Sequence, residues 1–134
     1  MINRNHPASF TFSDKIDAGY IFNMYEDDYS YIETMFKTVL DHFDADRLSI
    51  LANFQQDDLE LLRKAVHKIK PTFGFVGMPA VLEKCKAFEN KCYQVHSVKE
   101  LEADYKDLLH TLEDAHQVII NEHNKLVSYN RSAA

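Results

Sequence analysis

Apolar positions recur at three- and four-residue spacing through most of the chain, the period of a helix face. Ile32, Met35, Phe36, Val39, Leu40 and Phe43 form one such series, opening after the Asp27-Asp28 pair. Asp44 or Asp46 reads as the cap of a further short helix through about Asn53. From about Asp57 to Phe75 or Val76, the residues Leu59, Leu62, Val66, Ile69 and Phe73 fall on one stripe. Pro79 suits the first turn of the next helix, whose inner face carries Leu82, Cys85, Phe88 and Cys92. His96-Ser97 marks a break, with Ser97 as N-cap and Glu100 completing a capping box. Beyond it, Val98, Leu101, Tyr105, Leu108, Leu112, Ala115 and Ile119 keep a seven-residue rhythm. A helix over 98–127 would span roughly 45 Å, long enough to project past its neighbours or to pack against the N-terminal arm. Upstream, a short helix is expected from about Asp14 to Met24. The pattern thus divides the chain into a flexible arm over 1–13, which Phe10 and Phe12 could anchor, a helical domain over 14–127, and a disordered tail over 128–134.

Composition agrees with an all-α reading. Three Gly and three Pro leave little material for hairpins, and no run alternates in the manner of a strand. A chain of 134 residues, 46% hydrophobic, is one domain with a real core. No apolar run approaches the roughly 20 residues of a membrane span, and MINRNHPASF lacks the apolar centre of a signal peptide. These features predict a cytoplasmic protein with no membrane partner, in which Cys85 and Cys92 are reduced and buried. A net charge of -6 argues against nucleic acid as a partner.

Against that acidic background, Leu61 to Leu82 contains no Asp or Glu but carries Arg63, Lys64, Lys68 and Lys70. His67 lies among these cations. It falls about 130° from the centre of the apolar stripe and should face water. Its expected neighbours on that face are Glu60, Arg63, Lys64, Lys70, Pro71 and Gly74. An exposed histidine within a cationic patch suits chemistry on an anion, a phosphoryl group above all. Gly74, nearly beneath His67 on the wheel, would leave the ring open to a large partner. Gly77 suits helix termination or a close crossing. Pro71 cannot donate to the carbonyl of residue 67 and crowds it, which predicts a kink one turn past the histidine.

The segment VHKIKPTFGFVGM resembles the histidine-containing phosphotransfer domain: a His, a Lys three residues on and a Gly ten residues on, here His67, Lys70 and Gly77. The family usually has Gly where this chain has Pro71. It often has Gln 22 positions after the histidine, where this chain has Glu89. The resemblance implies an antiparallel four-helix bundle with short additional N-terminal helices. It implies that His67 accepts a phosphoryl group from an aspartyl phosphate and passes it to another aspartate. Lys70 would neutralise phosphoryl oxygens, and Glu89 would accept a hydrogen bond from Nδ1 and leave Nε2 as the nucleophile. Arg63, Lys64, Lys68, Pro71, Gly74 and Phe75 would form the docking face, the cations drawing the acidic pocket of the partner. The implied partners are receiver domains of response regulators or hybrid sensor kinases.

Phosphoryl transfer needs mainly alignment and charge stabilisation, because its transition state is loose. The chain has no Gly-rich phosphate loop. It is therefore expected to act as a phosphoryl carrier rather than an enzyme, with no cofactor of its own and Mg²⁺ held by the partner receiver. Two other readings are open. One is a non-catalytic helical interaction or inhibitory module. The other is a metal-binding four-helix bundle, for which Glu113 and His116 supply one Glu-x-x-His pair, whereas a di-iron site needs two. Asp107 and His110 only approximate the second, so no metal ligands are assigned.

Overall fold

Aspartates open three of the helices in the computed structural model, which describes residues 10–133. Asp17 Oδ1 accepts from the Tyr20 amide at 2.9 Å, Asp28 Oδ1 from Tyr31 at 3.0 Å, and Asp58 Oδ1 from Leu61 at 3.0 Å. Each satisfies an amide that the first helical turn leaves without a partner. The helices are α1 (Ala18–Tyr25), α2 (Tyr29–Gln55), α3 (Leu59–Phe75), α4 (Pro79–Cys92) and α5 (Glu102–Ala133), with a 3₁₀ turn over Val98–Leu101 before α5. No strand occurs among the described residues. None of their helices is long and apolar enough to cross a membrane.

Helix α2 packs on α3, α3 on α4, α4 on α5, and α5 back on α2. The α2–α3 and α3–α4 connections are three residues each, which forces antiparallel neighbours. Contacts confirm the sense: Asn53 reaches the Leu61 carbonyl near one end of α2–α3, and Asp46 meets Lys68 further along. This is the expected antiparallel four-helix bundle, with α1 as a short extra helix near the α3–α4 turn. Phe36, Phe43, Phe73, Leu62, Ile69, Leu108, Leu112 and Ile119 fill its centre.

Several boundaries differ from the sequence pattern, each for a local reason. α1 begins at Ala18, because Asp17 caps it. α2 is one helix of 27 residues rather than two. Ile32, Phe36, Val39, Phe43, Asp46 and Ile50 bury in unbroken helical phase, so Asp46 is a buried side chain within the helix and not a cap. Asp58, not Asp57, caps α3; Asp57 instead adopts a left-handed φ of 54° and accepts from the Val98 amide. The capping box at Ser97 and Glu100 forms, but it opens the 3₁₀ turn.

The expected tail is helical through Ala133. Asn130 Nδ2 donates to the Tyr29 carbonyl at 2.9 Å and to Glu33 Oε1 at 2.8 Å, and Leu126 is fully buried. The arm over 10–13 is tied down as well. Phe10 packs against Tyr29 and Tyr129, Phe12 against Phe36, and the Ser13 amide donates to the buried Glu122 at 2.7 Å. The rest of the expected arm, 1–9, lies outside the described residues.

Both cysteines are buried and unpaired. Burial pushes the Cys85 thiol up to about 12, with the nearby Glu89 charge adding to it. Burial likewise raises Cys92 to about 11, against the pull of Arg63. The folded chain therefore keeps its thiols protonated at pH values where the unfolded chain, near 9.0, does not. Stability should fall as pH rises from about 9. Alkylation by iodoacetamide at pH 8 should be at least about 100-fold slower in the native chain than in denaturant. Prompt labelling of folded protein would contradict the burial.

Candidate functional site

Helix α3 turns Leu62, Val66, Ile69 and Phe73 wholly inward. His67 lies between the inward positions and stands clear, its side chain 65% exposed. The helix runs unbroken through the exposed Pro71 to Phe75.

Glu89 reaches the ring from α4. It belongs to the inner face of that helix with Cys85, Phe88 and Cys92, and is only 8% exposed. Its Oε2 lies 3.0 Å from His67 Nδ1. Its Oε1 forms an ion pair with Lys70 Nζ at 2.9 Å. Burial opposes the charge on Glu89, but the close Lys70 ion pair and the His67 contact outweigh it and hold the carboxyl below its ordinary range. An ionised carboxylate can only accept, so Nδ1 carries the ring proton. In the neutral ring Nε2 is then the nitrogen with a free electron pair, and no protein group among the described residues hydrogen-bonds to it.

The segment that lacks acidic residues in sequence is not acid-free in space. Lys64 pairs with Glu60 at 3.3 Å, Lys68 with Asp46 at 3.5 Å, and Lys70 with Glu89. The Arg63 guanidinium lies 4.7 Å above the Tyr93 ring. His67 thus sits among cations that already have partners, with Asp46 supplied by α2 and Glu89 by α4.

Of the expected docking face, Lys64, Lys68, Pro71 and Phe75 are exposed, and Arg63 is half-buried beside Tyr93. Gly74 does not belong to it. It is buried against α4 and α1, and a Cβ there would lie 3.3 Å from Leu82 Cδ1 and 3.6 Å from the Tyr20 hydroxyl. One turn beyond Pro71 the helix passes beneath α1, so the face open around His67 closes before residue 74. Phe75 is 44% exposed, and its carbonyl accepts from the Tyr25 hydroxyl at 3.0 Å. Gly77 is the turn residue between α3 and α4, with φ 72°.

Sequence reasoning missed Asp46 and Tyr93. Asp46 had a signal, since it falls in the inward phase of α2 three residues after Phe43. Tyr93, just beyond α4, had none. The histidines of the metal reading are engaged elsewhere: His116 stacks on Phe43 at 4.2 Å and His110 lies 3.4 Å from Asp114. Among the described residues no three His, Cys, Asp or Glu side chains converge.

Comparison with known proteins bears on the family and the fold. The family model described as Hpt domain matches residues 34–121. The crystal structure of the HPT domain from the Hpt sensor hybrid histidine kinase of Shewanella superimposes with a TM-score of 0.71. The two share 17% identity, over 83% of this chain and 95% of that one, a likeness of fold. No curated protein matches the chain.

Proposed function

This chain belongs to the Hpt domain family, whose members carry phosphoryl groups on histidine in phosphorelays, and we propose that His67 is the residue that does so here, accepting from a receiver-domain aspartyl phosphate and donating to another receiver aspartate. The observation that carries the proposal is one exposed imidazole whose Nδ1 is held by a largely buried carboxylate, with no hydrogen-bond partner at Nε2 among the described residues. That arrangement fixes the tautomer and leaves room for in-line approach to phosphorus. Glu89 acts as a positioning residue: it orients the ring and holds its proton on Nδ1. Lys70, one turn along α3 and paired with the same carboxylate as the ring, is the cation for the phosphoryl oxygens. The Mg²⁺ that such transfers use is held by the receiver, and this chain supplies nucleophile and docking face. Lys64, Lys68, Pro71 and Phe75 form the exposed part of that face.

The test is transfer from a radiolabelled receiver domain. Label should move to this chain as an acid-labile, base-stable adduct. Lys70→Ala should slow the transfer about tenfold, the scale of one charge-assisted contact. A rate unchanged by that substitution would remove Lys70 from the site.

A further inference from the structure

One carboxylate serves two cationic or proton-bearing neighbours here, and phosphorylation would add a third claim on them. Glu89 spends Oε2 on the imidazole and Oε1 on Lys70. Oε1 is buried and has no hydrogen bond of good geometry, so the Lys70 charge is what compensates it. The Lys70 side chain is only 21% exposed, whereas His67 is 65% exposed. The other cations of α3 are engaged with Glu60, Asp46 and Tyr93. Lys70 is the counter-ion of Glu89 and, one turn from His67 on the same carboxylate, stands by anything bound at Nε2, while Lys64 and Lys68 pair with Glu60 and Asp46.

We propose that Glu89 and the phosphoryl group on His67 compete for the single ammonium of Lys70, so that Glu89 keeps the phosphorylated chain short-lived and ready to hand its phosphoryl on. The inference rests on the phosphorylation of His67 proposed above. In the accepting step the Nε2 electron pair forms the N–P bond. The P–O bond of the donor acyl phosphate breaks, and its electron pair leaves on the donor carboxylate. The ring then carries a proton on Nδ1 and a phosphoryl dianion on Nε2. If Lys70 turns to the dianion, Glu89 loses its ammonium and keeps only the cationic ring, whose charge the dianion also claims. If Lys70 stays, the dianion has no cation beyond the ring that bears it and faces a nearby carboxylate. Either way the adduct is less stable than it would be beside an uncharged residue. In the donating step a carboxylate oxygen of the accepting aspartate forms the new P–O bond, the P–N bond breaks and its electron pair returns to Nε2. The proton has stayed on Nδ1 against Glu89, so the leaving group is a neutral ring.

Glu89→Gln isolates the charge, because the amide oxygen can still accept from Nδ1. The wild type, Glu89→Gln, Lys70→Ala and the double variant would be phosphorylated by a labelled receiver and freed of it. Decay of the phosphohistidine would then be followed at neutral pH. The imidazole ¹⁵N shifts of His67 report whether the ring keeps its tautomer. Glu89→Gln should lengthen the half-life about fivefold, the effect of one charge in partly exposed surroundings. In the Lys70→Ala background the same substitution should gain less than about twofold, since the contested cation is gone. A half-life not lengthened by Glu89→Gln, or a Glu89→Gln chain that takes no label, overturns the proposal. An equal gain in both backgrounds does so too, because Glu89 would then act by its own charge and not through Lys70. Absence of label from the wild type is a separate outcome: it overturns the assignment of His67 itself.

Discussion

His67→Gln should eliminate phosphoryl acceptance, lowering transfer from a phosphorylated receiver by roughly 10³-fold or more, as loss of a covalent nucleophile does. It should leave the fold nearly untouched. The ring is mostly exposed and no core side chain rests on it, so the loss should stay within about 0.5–1 kcal/mol. Glutamine keeps an N–H that can donate to Glu89 Oε2, which spares that buried carboxylate from losing its neighbour. Among the described residues no other histidine has its Nδ1 held by a buried carboxylate. His116 is stacked on Phe43, and His110 sits by Asp114 on α5. Far-ultraviolet circular dichroism of the variant should overlay the wild type, and label that survives the substitution would place the nucleophile elsewhere.

The bundle was legible because its signal is repetitive. Leu62, Val66, Ile69 and Phe73 repeat one phase on α3, and Leu101, Tyr105, Leu108 and Leu112 do the same through the last turn and α5. What the pattern misjudged is instructive. Asp46 broke the apolar series of α2 and so read as a boundary, yet burial with a Lys68 partner lets a carboxylate occupy an inward position. The polar tail read as disordered because its partners are remote in sequence: Asn130 bonds to residues 101 and 97 positions away. Gly74 read as open because a wheel knows one helix only, and the element that covers it is α1.

The candidate site divides in the same way. His67 and Lys70 were legible from local spacing and from the side of the wheel on which they fall. Glu89 was named from its distance along the chain, but its grip on both His67 and Lys70 depends on how α4 crosses α3. The charge reading was the weakest part. Counting only the cations of residues 61–82 makes His67 look surrounded by positive potential. Ion pairing with Glu60, Asp46 and Glu89 shows that most of this charge is locally compensated. The attraction of a partner's acidic pocket then has to come from Lys64 and Lys68, whose neighbours are an exposed Glu60 and a single Asp46 oxygen.

Gly77→Ala should be the most damaging conservative change near the α3–α4 turn. Two independent costs meet at that residue. Its φ of 72° disfavours any side chain by about 1–2 kcal/mol. A Cβ would also stand 2.6 Å from Ile21 Cγ1, 2.9 Å from Ile21 Cδ1 and 3.0 Å from Ile16 Cγ2. Ile16 and Ile21 are buried, and the Asp17 amide donates to the Gly77 carbonyl at 2.8 Å, so the segment leading into α1 has little room to retreat. Overpacking of this kind costs about 1–3 kcal/mol. The sum should appear as a fall in melting temperature of about 5–15 °C, with faster amide exchange confined to α1 and residues 13–17. Gly77→Asn separates the two costs, since Asn tolerates the left-handed region but keeps the Cβ. If Asn is as harmful as Ala, crowding against α1 dominates. Ile21→Ala removes both of the closest atoms, so its loss and that of Gly77→Ala should sum to more than the double variant shows. Strict additivity would mean that the contact with Ile21 is not the source. His67 and Glu89 are held by the packing of α3 on α4 rather than by α1, so Gly77→Ala should still accept label at a near-normal rate below its melting transition.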